Sequence, residues 1–463
     1  MSELLSTLVD NKTLEPQDNP VLQGNFAPVD IENSFDHLEV IGSIPENLQG
    51  TLLRAGPNPV APGPNHHWFT GDAMLHAIHL SNGQAKSYRN RWVRTKALAE
   101  KTGLPAATGG SQVELMIQSS GNVNVIGHGG RVLALPEVGL PYEMGLQLET
   151  KGLFDYAGKL AGSMTAHPKV DGRTGEMLFF GYEMFAPFLR YHQASASGEL
   201  IKSVDIELPA AVMMHDFGVT ETRVVFMDLP VVFDLALVEK GFSFPFQWLD
   251  SHQARLGILN RSSDSDTVQW IDIEPCYVFH PLNSYDDGDK IVMDVVRYHK
   301  MMTAPGDDDY EQGSSLVRWI IDPTAGTVTT RVLSDIDLEF PRVNPNVECY
   351  PHRYGYALKT GGVHGFSDLL KFDLKAGTTQ TYRVGDNCAG GEPVFVASSN
   401  GEAEDAGYLL SVIYNGDTQL SELHIIDAQD FESKPLAIVK LDARVPFGFH
   451  GNFVADLGEG NSE

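Results

Sequence analysis

From about Gly50 onward the chain is a succession of short apolar or alternating runs, each closed by glycine, proline, aspartate or asparagine. Arg223-Val-Val-Phe-Met-Asp228, Lys290-Ile-Val-Met-Asp-Val295, Tyr408-Leu-Leu-Ser-Val-Ile413 and Glu422-Leu-His-Ile-Ile-Asp427 are examples. A strand places successive side chains on opposite faces, and turn residues set its ends, so the pattern predicts many short strands joined by tight turns. Helical periodicity is scarce, and its best candidate is Thr95–Gly103. One motif recurs, a strand ending in aspartate followed by turn residues, a glycine and a new strand. It appears at Val170-Asp-Gly-Arg-Thr-Gly-Glu176, Ile321-Asp-Pro-Thr-Ala-Gly-Thr327 and Phe372-Asp-Leu-Lys-Ala-Gly-Thr378, which read as equivalent hairpins. Hairpins repeated over several hundred residues, with no helical layer and no linker of biased composition, favour one all-β propeller over a pair of sandwiches. Ala61–Trp68 and Lys240–Trp248 are too rich in proline or aromatics for blades and are expected to be insertions covering one face.

Sixteen histidines are present. His66, His67, His192, His252 and His299 stand in polar contexts, where a solvated imidazole is the expectation. His167, His215, His280 and His450 differ, because each lies beside apolar, aromatic, glycine or proline residues, where an unpaired imidazole is costly to bury. Taken singly, each is better explained as a hydrogen-bonded core histidine. Separations of 48, 65 and 170 residues between successive members exclude a local zinc-type motif. A propeller removes that objection, since its inner strands converge on one axis and histidines from distant blades can meet there. Imidazole-only ligation without thiolate suits iron, copper or zinc alike.

A ligating imidazole needs its second nitrogen held by an acceptor, commonly a carboxylate. Three glutamates lie in apolar settings: Glu137 in Leu-Ala-Leu-Pro-Glu-Val, Glu339 in Leu-Glu-Phe-Pro and Glu392 in Gly-Glu-Pro-Val-Phe. For any one of them alone, an edge-strand glutamate facing water is the competing explanation.

These segments together resemble the carotenoid cleavage oxygenase family, which includes the retinal-pigment isomerase and the lignostilbene dioxygenases. The resemblance runs from Gly24-Asn-Phe-Ala-Pro28 and Leu53-Arg-Ala-Gly-Pro-Asn-Pro59, through Phe69-Thr-Gly-Asp-Ala-Met-Leu-His76 and Arg89-Asn-Arg-Trp-Val-Arg94, to His450-Gly-Asn. It implies a seven-bladed β-propeller with a cap of loops and short helices over one face and an apolar tunnel leading to an axial iron(II), one per chain. Residues 1–463 would form one such domain, with 1–23 as an N-terminal extension. By motif the iron ligands fall on His167, His215, His280 and His450. The supporting glutamates fall on Glu137, Glu339 and Glu392, orienting His215, His280 and His450 respectively and leaving His167 without a carboxylate. Phe69, Val123 and Pro136 fall beside the tunnel.

The departures from the family pattern bear on substrate. Its Gly-Asp-Gly-Met reads Gly71-Asp-Ala-Met74 here, and the Asn-Thr-Asn stretch common in relatives reads Asn122-Val-Asn124, so Val123 withdraws a hydroxyl from near the iron. Stilbene-cleaving relatives carry a lysine directly before the first glutamate and an upstream tyrosine, which bind and ionise a phenol. Here the lysine position is Pro136, and no tyrosine occurs between Arg89 and Asn122. A buried phenolate would have no cation to stabilise it, so an apolar polyene fits better. The run Lys240-Gly-Phe-Ser-Phe-Pro-Phe-Gln-Trp248 sets Phe242, Phe244, Phe246 and Trp248 at alternating positions. They are expected either to form an apolar patch that dips into a membrane or micelle, or to pack over the propeller.

Bulk composition narrows the partners. Lys and Arg total 33 against 61 Asp and Glu, and this acidity repels phosphate backbones, so nucleic acid is not an expected partner. Cys276, Cys349 and Cys388 are too few for a disulfide framework, which points to the cytoplasm. Neither the first twenty residues nor any later segment offers the roughly 18 apolar residues of a membrane helix. The expectation is thus an iron(II) dioxygenase that cleaves a C=C bond of a carotenoid or apocarotenoid with O2, at most peripheral to a membrane. Competing readings are an oxygenase for stilbenes or phenylpropenes, a non-cleaving isomerase, and a propeller that only binds. Oligomeric state is not legible in the sequence.

Overall fold

The computed structural model describes residues 18–63, 66–113, 119–262, 267–303, 313–399 and 401–456. Residues 1–17 of the expected N-terminal extension lie outside them. The alternating runs pair antiparallel with their neighbours in the chain into seven sheets of four to six strands, the blades of a propeller. Going round the ring, their innermost strands are Gly451–Ala455 (blade 1), Asn124–His128 (blade 2), Lys169–Val170 (blade 3), Gly218–Val219 (blade 4), Tyr277–Asp287 (blade 5), Leu338–Arg342 (blade 6) and Val394–Ala397 (blade 7).

The ring is closed twice by strands distant in sequence. Gly451–Ala455 pairs with Gly50–Pro57, with Arg54 opposite Gly451, and Val40–Gly42 completes the outer edge of blade 7 against Ala437–Lys440. Closure on the inner side needs an unusually close approach. A Cβ on Gly448 would lie 2.5 Å from the Ala55 carbonyl oxygen, so only glycine there lets Phe449 N–H reach that oxygen at 3.0 Å and seats His450 on the axis.

Apolar side chains from facing blades fill the wedges between them. Phe180 of blade 3 meets Phe217, at the start of blade 4, edge to face at 5.0 Å, and Phe217 stacks on Phe226 at 6.3 Å. The expected helix forms over Lys96–Thr102. Thr95 caps its start by accepting from Leu98 N–H, and Gly103 ends it in the left-handed region at φ 74°. No helix among the described residues is long and apolar enough to cross a membrane.

The three aspartate–glycine turns share one local geometry but are not equivalent in the blades. In each the aspartate Oδ1 accepts a backbone amide two or three residues on, and a glycine with φ between 66° and 71° closes the turn. Asp322–Thr327 and Asp373–Thr378 join the third and fourth strands of blades 5 and 6, whereas the turn after Val170 joins the first and second of blade 3. The turn chemistry is local and suits any antiparallel hairpin, so it does not report the repeat phase.

Both insertions sit over the same face. Residues 229–254 leave blade 4 between Arg223–Asp228 and Arg255–Asn260 and form a short helix, Leu235–Glu239, and a ribbon pairing Val231–Phe233 with Phe246–Trp248. The imidazole of His67, from the first insertion, stacks on Phe244 of the second at 4.6 Å.

Four of the five histidines expected to be solvated are not exposed. His67 and His192 are buried, His252 binds Asp228 at 2.7 Å with its side chain almost wholly covered, His66 is half-buried, and His299 alone is exposed. His192 lies in the strand Phe188–Ala194, where polar neighbours occupy the opposite face and say little about where the imidazole points, whereas His66, His67 and His252 lie in loops that fold back on the propeller.

Candidate metal centre

Each of the four apolar-embedded histidines stands at the entry to an innermost strand. His167 lies two residues ahead of Lys169–Val170, His215 three ahead of Gly218–Val219, His280 within Tyr277–Asp287 and His450 directly before Gly451–Ala455. They come from blades 3, 4, 5 and 1, all four are buried, and one ring nitrogen from each lies within 4.8 Å of the others. Nε2 of His215 is 3.0 Å from Nε2 of His167 and 3.2 Å from Nε2 of His280. The register shifts on either side of Pro281, and this bulge re-aims the His280 ring toward the axis.

The three glutamates come from the remaining blades and meet the outward nitrogens. His215 Nδ1 lies 3.0 Å from Glu137 Oε1, His280 Nδ1 2.6 Å from Glu339 Oε2, and His450 Nδ1 2.7 Å from Glu392 Oε1. The carboxylates are themselves held. Tyr182 donates to Glu137 at 2.8 Å, Tyr298 to Glu339 at 3.0 Å and the Gly451 amide to Glu392 at 2.8 Å, while Arg342 stands 3.5 Å from Glu392. Glu339 also accepts the Phe340 amide at 2.8 Å, across a bulge in which Phe340 adopts φ 53° and turns its ring toward His280 and His450.

His167 has no such bond. Its Nδ1 is 3.7 Å from the buried carboxylate of Asp216, beyond hydrogen-bonding range, and that carboxylate is bound by Lys169 at 2.9 Å. Asp216, Tyr182, Tyr298 and Arg342 escape a reading of the sequence. Only Asp216, a charged residue inside Met-Met-His-Asp-Phe, leaves a signal there.

This arrangement has one electrostatic consequence. A carboxylate only accepts, so the Nδ1 facing each glutamate carries the proton and the corresponding Nε2 presents a bare lone pair. Lone pairs about 3 Å apart in a buried site repel, and a buried acceptor left without a partner costs about 1–3 kcal/mol. A cation between the rings satisfies all of them, and four neutral imidazoles suit a transition metal of borderline softness. Burial favours the neutral form at three of the rings. It drives His167 well below the usual imidazole value, pushes His280 down to about 3 despite Glu339, and lowers His450 despite Glu392. At His215 burial is again the largest influence and lowers the value, but Glu137, Asp216 and Glu339 together outweigh it and the net shift is upward.

A cavity of about 710 Å³ under the insertions ends on His215, His280 and His450. Its walls are mainly apolar, with Phe69, Phe244, Phe279, Phe340 and Phe449 prominent, and no lysine or arginine lines it among the described residues. Phe69 and Val123 lie in the wall, and the Val123 carbonyl accepts the His450 amide at 3.0 Å. Pro136 is buried but outside the lining. It precedes Glu137, which does face the cavity, and neighbours in extended chain point to opposite sides. Of the alternating aromatics, Phe246 is buried, Phe244 and Phe246 line the cavity, Phe242 is half-buried, and Trp248 is half-buried with its indole N–H on Asp250 at 2.7 Å. The exposed apolar residues on the rim are instead Phe185 and Leu235, 64% and 60% exposed, with Val238 beside them.

Fold and site together define a propeller enzyme with four converging axial imidazoles, three of them at the floor of an apolar cavity. A family model described as retinal pigment epithelial membrane protein matches residues 26–455. A carotenoid cleavage oxygenase of Mycobacterium tuberculosis is 37% identical over 498 residues, spanning 94% of this chain and 97% of that protein. A carotenoid 9,10(9',10')-cleavage dioxygenase of Crocus sativus is 34% identical over 94% of this chain and 88% of its own length. The crystal structure of Pseudomonas brassicacearum lignostilbene dioxygenase superposes with a TM-score of 0.86 at 28% identity, covering 94% of this chain and 98% of that one. The chain belongs to this family of carotenoid cleavage oxygenases.

Proposed function

We propose that this protein is an iron(II) dioxygenase that cleaves one C=C bond of an apolar polyene, a carotenoid or apocarotenoid, into two carbonyl products. The observation that carries the reading is the set of converging imidazoles, three of them proton-locked by glutamates, at the end of an apolar cavity that no lysine or arginine among the described residues lines. Bound iron(II) would supply the one-electron chemistry that lets dioxygen react with an alkene, and both oxygen atoms end in the two carbonyls, so no outside reductant is needed. The chain does the rest. His167, His215, His280 and His450 offer neutral nitrogen ligands; Glu137, Glu339 and Glu392 hold three of those rings in orientation. Phe279, Phe340 and Phe449 exclude water and limit which bond reaches the centre.

The test is a turnover under 18O2 with β-apocarotenals and, in parallel, hydroxystilbenes. Label is expected in both carbonyl products from an apocarotenal, with loss of turnover on chelation and recovery with Fe2+. An isomerised product without label would select the non-cleaving reading, and preference for a hydroxystilbene the stilbene reading.

The exposed rim of Phe185, Leu235 and Val238 supports transient contact with a membrane or micelle, from which an apolar substrate passes into the cavity without crossing water. Replacing Phe185 and Leu235 by serine is expected to reduce sedimentation with lipid vesicles while sparing turnover of detergent-dispersed substrate. Unchanged sedimentation would remove the rim from that role. Cys276, Cys349 and Cys388 are all unpaired, which supports a reducing compartment such as the cytoplasm.

A further inference from the structure

Two cavities that differ in polarity meet at the four imidazoles. The apolar one touches His215, His280 and His450. The other, of about 540 Å³, touches His167, His280 and His450 and runs along the propeller axis from the far side. Asn124, Lys169, Asp216, Arg342, Glu348 and Asn452 stand in its wall, and its outer end is bordered by Leu146 and Ala455, both exposed. His167, the ring without a glutamate, therefore faces this channel and not the substrate cavity.

We propose that the axial channel, the more polar of the two, is the path by which the metal ion reaches and leaves the four histidines, with Glu348 and Asp216 as the carboxylates that receive it. The inference rests on reading the histidines as a metal site. A divalent ion carries tightly held water, and the apolar cavity, whose carboxylates Glu137 and Glu339 are already bound to His215 and His280, offers little in exchange for it. The axial channel offers amide and carboxylate oxygens along its length. Lys169 and Arg342 also stand there, but each is matched by a carboxylate, Asp216 at 2.9 Å and Glu392 at 3.5 Å. Asp216 lies 3.7 Å from the His167 ring, so an ion at that carboxylate is one short step from the centre. A formal net charge of −28 raises the concentration of divalent cations around the whole protein. Separate routes also keep the ion out of the cavity that the substrate fills.

The experiment follows cobalt(II) alone, by its visible absorption, entering metal-stripped full-length protein and being withdrawn by a chelator. Leu146→Trp with Ala455→Trp narrows the outer end of the channel far from the imidazoles. Phe185→Trp with Leu235→Trp narrows the mouth of the apolar cavity. Glu348→Gln keeps shape and removes the charge. The channel pair is expected to slow both uptake and withdrawal by about tenfold or more, with final occupancy unchanged at one cobalt per chain. Glu348→Gln is expected to slow both severalfold, and the cavity pair to leave both unaltered. Wild-type rates in Glu348→Gln and in a folded channel pair, or slowing in the cavity pair alone, overturn the channel. Should the channel pair not fold, the Glu348→Gln rates decide alone. Failure of the wild-type protein to bind any cobalt would instead overturn the metal reading beneath it.

Discussion

At the scale of single residues, the site is a chain of dependencies. Glu392 illustrates it, since one oxygen meets His450 Nδ1 at 2.7 Å and the other accepts the Gly451 amide at 2.8 Å. Burial pushes its carboxyl up, yet Arg342 and His450 hold it below the ordinary value, so it stays charged. Glu392→Gln keeps the shape but leaves only one acceptor for two donors. Metal affinity or turnover is expected to fall by about 10–100-fold, measured by metal titration and product formation. Full activity with an unchanged metal content would show that His450 needs no carboxylate. The same logic makes Asp216 a lesser support, because it stands 3.7 Å from His167 and is already committed to Lys169.

At the scale of elements, two devices recur. Bulges at His280-Pro281 and across Glu339–Arg342 turn inner-strand residues toward the axis, and the aspartate–glycine turns set the strand pairings. Gly377 has φ 69°, and a Cβ there would meet no atom within 4 Å. Gly377→Ala therefore isolates backbone strain from crowding. It is expected to destabilise by about 1–2 kcal/mol, read as a lower urea midpoint with the m-value and metal content unchanged. A larger loss would mean that the turn does more than reverse the chain.

At the scale of the whole molecule, ring closure and the metal centre are one event. The strand that closes blade 1, Gly451–Ala455, follows directly on His450, and the other rings arrive from three further blades. A metal bound by all four binds only the closed ring. At a free-metal concentration 100 times Kd, the holo form should gain about 2.7 kcal/mol. With an unfolding entropy of about 2 cal/mol/K per residue, chelation should lower Tm by about 3 °C, as calorimetry would measure. An unchanged Tm would mean that the four imidazoles do not share a tightly held ion.

The strand-and-turn rhythm after Gly50, the helix at Lys96–Thr102 with both caps, and the separate characters of His167, His215, His280 and His450 follow from local chemistry and are legible in the sequence alone. Glu137, Glu339 and Glu392 stand out for a similar reason, because a charged side chain in an apolar run must find a partner. What the sequence does not disclose is geometry over long separations. Tyr182, Tyr298 and Arg342 look ordinary in their own segments and gain meaning only where blades bring them to a carboxylate. The alternating aromatics 242–248 could face water or core with the same pattern, and the insertion's packing against His67 and Phe69 turned Phe244 and Phe246 inward while leaving Phe185 and Leu235 on the rim. Local propensity is set by a residue and its near neighbours. Which face is covered, and which two cavities meet at the axis, is set by the closure of a ring whose contacts span the chain.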